Sequence, residues 1–168
     1  LVTKIAEAPQ VDDAFLDQRF SVEGQEALSR RVMVDLGYDL DRGRLDRSAH
    51  PFTTNLGGHD VRITTRYAET MLISGLFSTI HETGHALYEL GVDESLHGTL
   101  LAEGTSLGIH ESQSRMWENM IGRSRSFWNH YLPRLKESFP GQLDDVDVEA
   151  FYRAVNKVEP SLIRVEAD

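Results

Sequence analysis

Apolar residues recur at helical spacing through most of this chain. Residues 23–36 carry Ala27, Leu28, Val32, Val34 and Leu36 on a polar background, with Gly37 placed to cap the end. Residues 69–90 hold the most apolar stretch: Met71, Leu72, Ile73, Leu76, Phe77, Ile80, Leu87 and Leu90, followed by Gly91. Further helices are predicted over 100–121, over 124–138 with a kink or break at Pro133, and over 148–157. Residues 13–20 suit a short helix, and Pro160-Ser161 suits the start of a last one. Residues 1–12 show no period and read as a lead-in. The strict alternation of Val61 to Tyr67 predicts a strand, and Phe52-Thr53-Thr54 is its candidate hairpin partner. The rest of 39–58 is rich in Asp, Arg, Gly and Ser and reads as loop. The pattern is mainly α-helical with one small β element.

Inside the most apolar helix sits His81-Glu82-Thr83-Gly84-His85. Residues four apart in a helix share a face, so His81 and His85 can direct two imidazole nitrogens at one ion. Glu82 borders that face and can act as base toward the water that such an ion activates. A chance match to this pattern is expected in roughly two of a hundred such sequences. The flanks favour function: a helix apolar on most sides is buried, and polar groups there need partners. A zinc peptidase is the first expectation.

Composition narrows the chemistry. A net charge of −10 disfavours nucleic acid or an anionic membrane as partner. The chain has no cysteine, so a metal must be held by His and carboxylate. No apolar run approaches a membrane span, and no signal peptide is visible, so a cytoplasmic location is expected.

A catalytic zinc site usually has three protein ligands. The candidates for the third are His50, His59, His97, His110, Glu103, Glu111 and Glu118. Position 91, where another metalloprotease class has its third His, is glycine. Glu111 falls in the middle of the next long helix, and Gly104 and Gly108 before it would let that helix approach the first. Glu118, two turns on, suits a supporting partner. Spacing alone leaves Glu111 open between ligand and solvated helix charge. Trp117, Phe127, Trp128 and Tyr131 recur at helical spacing and read as core.

Five separated motifs occur in order: His50-Pro51-Phe52, Asp60-Val61-Arg62-Ile63-Thr64, His81-Glu82-Thr83-Gly84-His85, His110-Glu111-Ser112-Gln113-Ser114-Arg115 followed by Trp117-Glu118-Asn119, and Ile163-Arg164-Val165-Glu166-Ala167-Asp168. Together they resemble the carboxypeptidase Taq family of metallocarboxypeptidases. The resemblance implies a mainly α, zincin-like helical metallopeptidase core. It implies that residues 1–168 form a single partial domain, the central catalytic segment of a longer enzyme. By position it makes His81, His85 and Glu111 the metal ligands, Glu82 the general base, and Gln113 a residue lining the site. The family removes single residues from peptide C-termini, uses zinc or in some members cobalt, and usually forms homodimers. A C-terminal carboxylate needs a cation able to bind it bidentately, and Arg62 and Arg164 lie in the remaining motifs. Asp60 is placed to orient Arg62 or a ligand, and His50 and Phe52 to shape the groove. Two rivals stay open: an aminopeptidase or endopeptidase with the same ligands, and a non-catalytic fragment in which the metal is a structural clip.

Overall fold

The structure is a computed structural model that describes residues 2–158. Arg164 and the helix expected from Pro160-Ser161 lie outside the described residues. The lead-in holds a short helix, α1 (Val2–Ala6), and residues 13–20 hold only a 3-10 turn at Ala14–Leu16. Phe20 nevertheless enters the core completely.

Helix α2 (Val22–Asp35) starts where the Ser21 hydroxyl accepts the Gly24 N–H. It ends before Gly37, whose φ of 108° suits a residue without a side chain. The segment expected as loop then supplies one further strand and lengthens the expected hairpin partner to Gly57. Strand β1 (Leu45–Arg47) runs parallel to β3 (Asp60–Thr65), and β2 (Phe52–Gly57) runs antiparallel to it, in the order β1-β3-β2. The hairpin partner of Val61 to Thr65 is therefore the expected segment, with Phe52 opposite Thr64. Strand β1 was not legible because three residues are too short for a periodic signal. Alternation along β3 buries Val61, Ile63 and Thr65 and leaves Arg62 outside.

Helix α3 (Leu72–Leu90) is the hub. One side packs Leu72, Leu76, Phe77 and Ile80 into the main core, against α2, α5 (Arg125–Ser138) and α6 (Val148–Val155). Its last turns put Ala86 into a smaller cluster with Met33, Tyr38, Leu45, Val61 and Ile63, which fixes the sheet to α2 and α3. Phe127, Trp128 and Tyr131 are core residues as expected, and Trp117 packs on the core's margin.

Two helical expectations change. Over 100–121 the structure has a 3-10 turn at Leu100–Ala102, then α4 (Leu107–Arg115), then a π-helical turn at Met116–Gly122. The Ser106 hydroxyl accepts the Ile109 N–H and so starts α4 afresh. Helix α5 runs through Pro133 without a break. Pro133 and Asn129, whose carbonyl loses its amide partner, both lie on the exposed side, where that carbonyl is open to solvent.

Candidate metal centre

The polar face of α3 is enclosed by β2 on one side and α4 on the other. His81 is only 9% exposed and Glu82 only 7%, so neither is a solvated surface group. The closeness of α4 depends on Gly84: a Cβ there would stand 2.7 Å from the Ser114 Cα. Of the two glycines expected to allow a close approach, Gly104, just before α4, does so: a Cβ there would stand 3.2 Å from the Tyr88 ring of α3 and 3.0 Å from His110, whereas Gly108 meets only the Ser106 hydroxyl at 3.9 Å.

Across this contact Glu111 reaches both histidines. Its Oε2 lies 3.5 Å from His81 Nε2 and 3.3 Å from His85 Nε2. One donor atom from each of the three falls within 4.8 Å of the others. Their second nitrogens are committed elsewhere. His81 Nδ1 lies 2.9 Å from Glu118 Oε2, and His85 Nδ1 lies 2.6 Å from His110 Nδ1. Two imidazole nitrogens and a carboxylate oxygen thus converge, a donor set that fits a zinc-like divalent ion. Arg115 donates to Glu111 Oε1 at 2.7 Å, and its other side reaches Glu118 Oε2 at 3.2 Å. The guanidinium holds both carboxylates in place.

Charge in the site is tuned by burial and by near neighbours. Burial pushes the Glu82 carboxyl above the ordinary carboxylate range, against the Thr53 hydrogen bond that lowers it. Burial, then the adjacent His81 and His110, bring the His85 imidazole down to about 4, so it is neutral near pH 7. Burial lowers His81 too, but its bond to Glu118 and the charges of Glu82 and Glu111 outweigh that and raise it. Burial raises Glu111, but Arg115, His81 and Ser114 together hold it below the ordinary value.

The donors open into a cleft of about 850 Å³ that His50, Phe52, Thr53, Arg66 and Glu82 also line. Glu118 meets His81 directly, in the supporting position expected of it. Asp60 and Arg62 form a bidentate pair, at 2.8 and 2.6 Å, on the exposed side of β3 and do not line the cleft. Gln113 also lies elsewhere: it lines a second cavity with Trp117 and Tyr88, on the far side of the α3–α4 contact. His59 and His97 face each other, with ring centres 5.3 Å apart, and do not join the donor cluster. Three partners, Thr53, Arg66 and Glu89, were given no site role from the sequence, and Arg115 stood in a motif without one. Thr53 donates to Glu82 Oε2 at 2.5 Å, and Arg66 lines the cleft with no ion-pair partner among the described residues. Glu89 and Arg115 were legible in principle, each four residues beyond a proposed ligand on one helix face.

The profile of the carboxypeptidase Taq (M32) metallopeptidase family matches residues 1–168, the whole chain. This chain belongs to that family. Among M32 relatives, carboxypeptidase 1 of Bacillus subtilis is 50% identical over 157 residues, which are 94% of this chain and 31% of that protein. Thermostable carboxypeptidase 1 of Thermus thermophilus is 52% identical over 94% of this chain and 31% of its own length. The crystal structure of the M32 carboxypeptidase from Deinococcus radiodurans R1 superposes with a TM-score of 0.95 at 52% identity, covering 99% of this chain and 33% of that one. The chain thus spans about a third of the length of these M32 enzymes.

Proposed function

We propose that this chain carries the zinc centre and general base of a carboxypeptidase that releases single residues from peptide C-termini. The observation that supports this most is the convergence of His81 Nε2, His85 Nε2 and Glu111 Oε2 in the cleft that also holds Glu82. His81, His85 and Glu111 would hold the zinc ion, which when bound would supply Lewis acidity toward a carbonyl and a water. Glu82 takes the proton of the attacking water and returns it to the leaving amine. Its raised pKa suits a group that both accepts and releases a proton, and the Thr53 hydroxyl fixes its orientation. Glu118 and Arg115 hold the ligands in the arrangement that catalysis requires.

Selection of a chain end calls for a cation for the terminal carboxylate. Arg66 lines the cleft without an ion-pair partner among the described residues, which supports it over Arg62, already engaged by Asp60. Arg164, outside the described residues, stays a candidate. A groove wall of His50 and Phe52 beside the donors accords with a peptide substrate.

The test uses the intact protein. One equivalent of zinc is expected, together with release of the last residue from an N-blocked peptide, loss on chelation and return on adding zinc. A C-amidated peptide should resist cleavage. Cleavage of the amide at the same rate would favour an endopeptidase, and failure on N-blocked peptides an aminopeptidase. Glu82→Gln should keep its zinc and lose turnover; normal turnover would refute the base.

A further inference from the structure

Behind His85 lies a second chain of contacts that the reaction above does not use. His85 Nδ1 is 2.6 Å from His110 Nδ1. The other His110 nitrogen, Nε2, is 2.5 Å from Glu89 Oε1. The remaining Glu89 oxygen accepts the Asn55 side-chain amide at 2.5 Å, which anchors the carboxylate to β2. His110 is also confined sterically. The Tyr88 ring meets it edge-on with centres 5.1 Å apart, and a side chain at Gly104 would press on its Cδ2 at 3.0 Å.

We infer that His110, held by Glu89, is a positioning residue that locks His85 as its Nδ1–H tautomer and so presents His85 Nε2 to the metal. The inference rests on the metal site proposed above. The argument is a count of protons. An ionised carboxylate only accepts, so His110 Nε2 carries a hydrogen toward Glu89. A neutral His110 then has a bare lone pair at Nδ1. The contact between the two Nδ1 atoms needs one hydrogen, and His85 must supply it; the His110 backbone, which also accepts from the His85 ring, is a second acceptor supplied by the same residue. His85 Nε2 is left bare, facing Glu111 Oε2 at 3.3 Å. The opposite assignment, with the shared hydrogen on His110, would put the His85 hydrogen on Nε2 and close that nitrogen to a metal.

The two ligand histidines are thus oriented by different means. His81 donates straight to a carboxylate, Glu118. His85 reaches its carboxylate only through a second imidazole. His110 is thereby removed from the list of ligands, because both of its nitrogens are occupied.

The test compares His110→Leu, which fills the space and leaves only the backbone acceptor, with His110→Asn, whose side-chain oxygen can take the place of Nδ1. Zinc dissociation constants are measured in the intact protein by chelator competition, with circular dichroism to confirm the fold. His110→Leu should weaken zinc binding by about 10–100-fold, while His110→Asn stays close to the unaltered protein. Unchanged affinity in His110→Leu would overturn the relay. So would an equal loss in both variants, which would mean that bulk or direct ligation matters rather than the acceptor. If His110→Leu does not fold, Glu89→Leu carries the test: a loss in the same direction is expected, and unchanged affinity there overturns the inference. Failure of the metal site itself is distinguishable, because the unaltered protein would then hold no stoichiometric zinc.

Discussion

Thr53 and Glu82 meet through a hydrogen bond of 2.5 Å, and the same hydroxyl also lies 3.1 Å from the Glu82 backbone carbonyl. The hydroxyl can donate to only one of them at a time, and the carboxylate is the better acceptor. One Glu82 oxygen is therefore occupied by the strand and the other is left for water. Bonds to charged groups contribute about 1.5–3 kcal/mol. Thr53→Val, which keeps the shape and removes the donor, should lower kcat roughly tenfold or more while zinc content and KM stay near their starting values. Steady-state kinetics beside metal analysis decides it; an unaltered kcat would leave Thr53 with a packing role only. At this scale the sequence was most legible where donors share one helix. His81, Glu82 and His85 are adjacent by helical geometry alone. Thr53 was hidden because its relation to Glu82 depends on how a hairpin lies across a helix, and no local spacing encodes that.

At the level of elements, the site is a contact between α3 and α4 braced by the β2–β3 hairpin. The apolar period outlined α2, α3, α5 and α6 within a few residues, because each buries a continuous stripe in one core. It failed over 100–121, where polar capping at Ser106 and the π turn at Met116–Gly122 divide one expected helix into pieces. It failed again at β1, which owes its existence to pairing with β3 rather than to its own residues. The α3–α4 spacing depends on Gly84. Gly84→Ala would drive a methyl against backbone, at 2.7 Å from the Ser114 Cα, which cannot rotate away. The expected cost is about 1–3 kcal/mol of stability, seen as a lower urea midpoint. Zinc affinity should fall with it, since Glu111 rides on the displaced helix. A variant as stable and as tight as the parent would mean that α4 shifts freely.

Over the whole molecule, the sheet is fastened to the helices through Tyr38. It is buried, and its hydroxyl donates to the Val61 carbonyl at 2.6 Å. Burial pushes the Tyr38 hydroxyl up to about 12 from an ordinary value of 10.0. The folded chain therefore holds that proton longer than the unfolded chain. The stabilisation is complete below pH 10 and is lost as pH rises toward 12, on the order of 2 kcal/mol. Urea midpoints should fall between pH 10 and pH 12, with a shallower fall in Tyr38→Phe; equal slopes would clear Tyr38 of that role. Burial takes Tyr131, beside Asp35, in the same direction, so the slope should shrink in the variant without vanishing. No helix among the described residues is long and apolar enough to cross a membrane. The enclosure of α3 also bears on how its signature is searched for. Written as His-Glu-x-x-His, the motif treats two letters as wild cards, yet Thr83 is fully buried with its hydroxyl on the Thr79 carbonyl, and Gly84 has no room for even a methyl. In this architecture a string match with a bulky fourth letter would be a counterfeit: right in spelling, unable to close.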